Sequence, residues 1–485
     1  MRQRSIKCNS ILNIIKTISS IIFPLITFPY ISRVLMPDNV GKVNFGTAYI
    51  SYFSMIATLG ITTYAIRECS SVRKDKIALG KKASEIFSIN ICTTIVAYVL
   101  LTLSLLLFRK LDSYRILIVI QSTSILFTTL GADWLNSAME DFKYITLRTI
   151  AFQIISLVLM FCLVKKSDDY LKYAAISVFS SSGANIVNIF YRRRFCTVKF
   201  IKNMNWKQHF TPILLLFVMI LAQTIFTSAD QTMLGIMKGD YEVGIYSTAL
   251  KIENIILQVV ASLVWVVMPR LSLYFAEEDY VKINSMLKKT LALFMCIGVP
   301  SVAGVCALSK EVVLIVGGES YLDAAIPLMI LMVAFAFSLI GGSFLGNMVL
   351  LPSKNENIYM WICCITAGFN VVMNYFLIPY GGAKAAAFTT AMSSLLIMVL
   401  LLVKKDKRIR LDYVVQVSAS PVVGSIILFI YCKVVGLFIS NLWSKTIICI
   451  TGSVILYGLV LFGMKNEFCM EMLKELKTKR KRCNG

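Results

Sequence analysis

Histidine is almost missing from this chain: there is one, His209, in a basic loop. With no cluster of His, Cys and carboxylates, the sequence points away from a catalytic zinc site or a Ser-His-Asp triad, and it implies no cofactor. Charge is scarce as well, at 15% of residues, and the acids are the scarcer sign, with 26 Asp plus Glu against 49 Lys plus Arg. A soluble globular chain carries about 25% charged residues. Here 57% are hydrophobic and the mean hydropathy is +0.75, so a water-soluble enzyme is the wrong class. Long polar stretches are missing too. No loop reaches thirty residues, which leaves no room for a soluble catalytic domain. The thirteen cysteines are scattered, and the Cys363–Cys364 pair lacks metal-ligand spacing, so they read as small apolar filler.

What is present is a series of apolar runs, each near the ~20 residues that cross a bilayer as a helix. Fourteen are expected, near 10–32, 43–66, 83–108, 114–137, 145–164, 171–190, 211–237, 241–268, 286–309, 323–351, 357–378, 383–403, 413–436 and 442–463. The N-terminus lacks the small-residue cleavage site of a signal peptide and reads as a retained first span. The net charge of +23 would suggest nucleic acid in a soluble chain. Here the cations sit in short loops and set orientation instead, so no nucleic-acid partner is expected. With the N-terminus inside, the inner segments hold 34 Lys and Arg and the outer loops 13, which puts both termini in the cytoplasm. The basic tail from Lys474 to Arg482 reads as an orientation signal that also touches anionic lipid.

The chain carries signs of duplication. Gly41 and Arg67 bracket the second span, and Gly244 and Arg270 bracket the eighth at the same 26-residue spacing, offset by 203. Val40-Gly41 is echoed by Val243-Gly244, and Tyr173-Ala174-Ala175 by Ala385-Ala386-Ala387. The expected organisation is a six-helix lobe over 1–200, a second over 201–405, two added helices over 406–464 and a basic tail over 465–485. Six spans per copy make the copies parallel, and the cleft between them is the expected transport path.

Charges inside an apolar span cost about 2.5–3.5 kcal/mol each and tend to face protein or water. In the first span Asn9, Asn13, Lys16, Ser20 and Thr27 fall within about 60° of one helical face. In the eighth, Ser247, Lys251, Asn254, Gln258 and Ser262 fall within about 80°. Gln223, Thr227 and Asp230 share a stripe in the seventh. These stripes are expected to line one hydrated cavity. Lys251 reads either as cavity lining or as a structural ion pair, and Lys16 can snorkel to the interface. Asp230 reads equally as a helix lock and as an ion site, and Glu253 is a second candidate for ion coupling. Asp133 beside Trp134 reads as an interfacial anchor. Pro24 and Pro29 are expected to kink the first span.

These motifs resemble a known family. Pro29-Tyr30-Ile31-Ser32-Arg33-Val34-Leu35 with Gly41 and Leu59-Gly60-Ile61 is similar to the N-terminal signature of polysaccharide flippases in the multidrug/oligosaccharidyl-lipid/polysaccharide exporter superfamily. Asp133-Trp134 with Glu140 and Phe142-Lys143-Tyr144 resembles its loop between spans four and five. Asp230 to Gly235, Val243 to Tyr246, Met268-Pro269-Arg270 and Ile378 to Ala383 follow in the family's order. Met36 stands where the family usually has glycine, and Lys384 interrupts a small-residue run.

The resemblance implies an all-α membrane protein of about fourteen helices that works by alternating access. It implies export of a polyprenyl-diphosphate-linked oligosaccharide across a bacterial plasma membrane, with polysaccharide polymerase and chain-length machinery as candidate partners. Arg33, Asp230 and Arg270 match its motifs, while Lys16 and Lys251 rest on periodicity. A peptidoglycan-precursor flippase or a multidrug/cation antiporter of the same fold stays open.

Overall fold

The computed structural model describes residues 6–201, 206–466 and 469–470. The chain divides into two compact units, Met1–Ser247 and Thr248–Gly485. Among the described residues there are helices and turns and no strand, as a chain in lipid requires, because each helix satisfies its own backbone.

The first unit opens with α1 (Ile6–Thr58), followed by α2 (Ile61–Ser71), α3 (Lys76–Leu107), α4 (Arg115–Gly131), α5 (Trp134–Ala138) and α6 (Phe142–Leu163). Next come α7 (Tyr170–Val178) and α8 (Ala184–Tyr191), joined by a widened turn at Phe179–Gly183, and then α9 (Trp206–Met237). α10 (Asp240–Ala276) starts in the first unit and runs into the second. The second unit continues with α11 (Tyr280–Ala307), α12 (Ser309–Val316) and α13 (Ala325–Ser338), which extends as a widened helix to Leu350. α14 (Glu356–Lys404), α15 (Val414–Phe438) and α16 (Leu442–Gly463) complete it.

Ten segments among the described residues are long and apolar enough to cross a membrane. Twelve of the fourteen expected spans map onto these ten, with two mergers: Ile15–Ser71 holds the first and second, and Glu356–Lys404 the eleventh and twelfth; the sixth and seventh are not among them. The sixth is the pair α7 and α8, and the seventh is α9. In both mergers one long helix is broken at a single residue. In α1 the only non-helical residue is Met36 (φ 62°, ψ 168°), directly before Pro37. Proline cannot donate a backbone hydrogen bond and drives the residue before it out of the helical region, so Pro37 ends one span and starts the next. Pro24 and Pro29, by contrast, sit within helical backbone. In α14 the break is at Gly382 (φ 53°), three residues after Pro379 and within the run from Ile378 to Ala383.

Helices in lipid gain little from burying apolar surface, and close packing and polar links hold them together instead. Large apolar side chains accordingly point outward, Leu437 at 82% exposure and Phe438 at 83% among them. The first unit packs α1 against α3, α4, α6 and α9, and α2 against α9, which is why it extends past residue 200. The second packs α11 on α15, α13 on α14 and α15 on α16. Lys445 of α16 pairs with Glu311 of α12 at 2.5 Å, and Lys433 Nζ donates to the Ala307 carbonyl, tying the last two helices to their neighbours.

Candidate functional site

α1 and α10 supply most of the candidate residues. Lys16 is half-buried, and Ser20 one turn on donates its hydroxyl to the Lys16 carbonyl at 3.0 Å. The side chain of Asn13 lies outside the described residues, as does the tail from Lys474 to Arg482. Arg33 is exposed near the α1 break and donates to the Pro29 carbonyl at 2.5 Å. On α10 Lys251 is half-buried, Asn254 exposed, Gln258 half-buried and Ser262 exposed. Those four follow one helical face, so a cation and three polar groups form an accessible stripe within an apolar helix. Glu253 is half-buried and Arg270 exposed. Lys16, Ser20 and Arg33 belong to the first unit, and Lys251, Glu253, Asn254, Gln258 and Arg270 to the second.

The stripe expected on α9 divides. Gln223 and Thr227 are exposed, whereas Asp230 is only 3% exposed and accepts a hydrogen bond from Tyr246 Oη of α10. Of the two readings of Asp230, this geometry is that of a lock between α9 and α10. Asp133 is half-buried and ties α6 to the end of α4. It pairs with the buried Arg148 at 2.6 Å and accepts from Asn136, which also donates to Asn188 at 2.6 Å.

A polar seam inside the first unit was not singled out from the sequence. Asn44 Nδ2 donates to Ser247 Oγ at 2.7 Å, Ser51 Oγ to Ser228 Oγ at 2.9 Å, and Tyr52 Oη to Thr232 Oγ1 at 3.2 Å. The seam joins the second half of α1 to α9 and the start of α10. The signal for it lies in the repeat, since Asn44 and Ser247 are separated by the same 203 residues as Gly41 and Gly244.

The glycines of that pair lie in reciprocal contact. A Cβ on Gly41 would overlap the Asp240 carbonyl, and one on Gly244 would overlap the Pro37 carbonyl. Pro37 and Asp240 are again 203 apart, so both close approaches, which lie inside the first unit, join residues at the offset seen in the sequence. Met36 and Gly239 are equivalent too, and both have positive φ, 62° and 97°.

Outside the spans, charges hold the loops. Asp169 accepts from the Lys165 and Lys166 amides and pairs with Lys172 at 2.7 Å, and these contacts hold its carboxyl well below the usual range. Arg408 does the same for Asp406, and the Arg408 guanidinium also stacks on Tyr280 at 4.2 Å. His209 is buried, with Tyr64 Oη 2.7 Å from its Nδ1 and Glu85 3.4 Å from its Nε2, which is the setting of a core histidine. No group of three or more His, Cys, Asp or Glu among the described residues is placed to hold a metal ion.

Residues 6–275 match the family described as Polysaccharide biosynthesis protein, and residues 245–459 match Lipid II flippase MurJ. A Putative O-antigen transporter of Escherichia coli (strain K12) is 23% identical over 320 residues, covering 64% of this chain and 76% of that protein. A Putative O-antigen transporter of Shigella dysenteriae is 24% identical over 389 residues, covering 79% and 95%. Among solved structures, Lipid II flippase MurJ in an inward closed conformation aligns with a TM-score of 0.74 at 15% identity, over 96% of this chain and 99% of that one, a likeness of fold. A multi-pass helical membrane protein with matching motifs along its length and a family match over more than half of it, this chain belongs to the polysaccharide biosynthesis protein family.

Proposed function

We propose that the protein is a flippase that moves polyprenyl-diphosphate-linked oligosaccharide repeat units from the cytoplasmic to the outer leaflet of a bacterial plasma membrane, by alternating access, for surface polysaccharide such as O-antigen or capsule. The observation that carries this reading is the accessible stripe of Lys251, Asn254 and Gln258 along an apolar helix. A hydrophilic glycan cannot cross hydrocarbon without such polar company. The lysines, Lys251 and Lys16, hold the diphosphate, and the amides and hydroxyls of Asn254, Gln258, Asn13 and Ser20 meet sugar hydroxyls. Arg33 and Arg270 are placed near span ends, where they meet the head group as it enters and leaves. Both termini face the cytoplasm, and the two lobes of the repeat, 1–200 and 201–405, are the moving parts. No covalent step is assigned to the protein.

Direction follows from charge. Each negative charge that leaves an inside-negative cell gains about 2.3 kcal/mol per 100 mV, so a diphosphate gains roughly 4–5 kcal/mol at that potential. Export then runs downhill without a titrating carboxylate, and Asp230 and Glu253 act as structural groups. A second reading, a flippase for a peptidoglycan lipid precursor, is favoured by the match of residues 245–459 to Lipid II flippase MurJ. Genetic complementation separates the two. The gene is expected to restore surface glycan to cells lacking their own repeat-unit flippase, and Lys251→Ala to abolish that restoration with the protein still in the membrane, while Lys251→Arg preserves it. Rescue of cells lacking their peptidoglycan-precursor flippase, without restored surface glycan, favours the second reading.

A further inference from the structure

α15 and α16 pack on each other across a short connection, residues 439–441, and their contacts fix the register between them. Tyr431 Oη donates to the Ile448 carbonyl at 3.2 Å, and a Cβ on Gly452 would overlap that hydroxyl. A Cβ on Gly436 would stand 3.0 Å from Lys445 Nζ. Small residues thus let the two helices approach closely, as spans held by packing rather than by apolar burial require. That register sets Cys432 opposite Cys449. The Cys449 thiol lies 3.9 Å from the Cys432 carbonyl and in hydrogen-bonding contact with the Cys432 thiol, whose Sγ is 3.3 Å from Ser453 Oγ. Both cysteines are buried, Cys432 at 2% exposure and Cys449 at 0%. They stand six residues before the end of α15 and seven after the start of α16, about 10 Å along each helix from the connection. One turn nearer that end, Lys445 pairs with Glu311 at 2.5 Å. In the sequence these cysteines read as apolar filler, because nothing local marks two residues that meet across helices.

We propose that Cys432 and Cys449 are a redox pair that a small disulfide oxidises to a cystine, stapling α15 to α16. Cys449, as the thiolate, attacks one sulfur of the oxidant R–S–S–R, forming a mixed disulfide and expelling R–S⁻. Cys432 then attacks the Cys449 sulfur, closing the Cys432–Cys449 bond and expelling the second R–S⁻. The two thiol protons end on the expelled sulfurs as two R–SH, and the two electrons lost by the cysteines reduce the oxidant. Both thiols are buried, so the first attack proceeds through local separation of the two helices, and the Lys445–Glu311 pair gives the leaving proton a polar way out. Once closed, the bond opposes that same separation, because it ties the chain at 432 to the chain at 449 and restricts the opened state. The pair is separate from the residues proposed to carry the glycan lipid.

Treating the purified full chain in detergent with 2-hydroxyethyl disulfide tests this. After the remaining thiols are blocked with a maleimide, non-reduced peptide mapping is expected to recover Cys432 joined to Cys449, and dithiothreitol to release the two. The oxidised protein is expected to melt about 2 °C or more above the reduced one. That gain should be lost in C432S and in C449S and kept in C162S, which removes an exposed cysteine of α6. Should either of the first two variants fail to fold, mapping of the native chain decides alone. Recovery of Cys432 and Cys449 as maleimide adducts or as separate mixed disulfides, under conditions that convert Cys162 fully, overturns the redox pair. A Cys432–Cys449 bridge that leaves the melting temperature unchanged overturns the staple.

Discussion

Met36 shows how a single side chain can sit against the grain of its backbone. Its φ of 62° with ψ of 168° belongs to a region that glycine enters freely and other residues enter at about 1–3 kcal/mol. The side chain is 44% exposed, so little packing offsets that cost, and the equivalent residue in the second copy is glycine, Gly239. Met36→Gly is therefore expected to stabilise the protein by about 1 kcal/mol after the extra chain entropy of glycine is deducted. Thermal unfolding in detergent reads this out, and a lower melting temperature contradicts it. The sequence alone marked Met36 as a departure from a family glycine. It could not show that the backbone kept the glycine conformation regardless. Asp230 and Asp133 were legible as intramembrane acids, but their partners, Tyr246 and Arg148, come from other helices, and pairing across helices is not encoded in any local period.

Hydropathy placed the spans well because each helix must satisfy its own backbone in lipid, so length and apolarity nearly determine it. At Met36–Pro37 and at Gly382 the chain passes from one expected span to the next within a single long helix, because one residue outside the helical region is enough to break it. What the pattern could not supply is which faces meet. The contact of Gly41 and Gly244 with the carbonyls that open each other's helices depends on a close approach that only residues without a side chain permit. Gly41→Leu or Gly244→Leu is expected to cost about 3 kcal/mol or more, because a backbone carbonyl cannot yield as a side chain can. Gly368→Ala and Gly458→Ala, where a Cβ meets nothing within 4 Å, are expected to be neutral or to stabilise by up to about 1 kcal/mol. Comparing the yield and melting temperature of the four variants checks both halves, and equal behaviour would remove the close-approach argument.

At the level of the whole molecule, the excess of cations on one side predicts orientation and the polar stripes predict transport. Fusing green fluorescent protein to the C-terminus should give fluorescent cells, and alkaline phosphatase at the same place should be inactive. The reverse pattern contradicts the proposed cytoplasmic termini. The 203-residue offset was visible at Gly41 and Gly244, and Met36, Pro37 and Asn44 stand at the same offset from Gly239, Asp240 and Ser247, whose contacts the sequence did not show. The lysines remain the chemical centre of the functional proposal, for a phosphorylated lipid head needs positive charge along its route. The most direct measurement is translocation of a fluorescent polyprenyl-diphosphate oligosaccharide in vesicles holding the purified protein, with an imposed potential or an imposed pH gradient. The account predicts movement above that of empty vesicles, faster when the potential draws anions across, insensitive to the pH gradient, and lost in Lys16→Ala/Lys251→Ala. Movement that follows the pH gradient but ignores the potential, or that is as fast in the double variant as in the native protein, contradicts it.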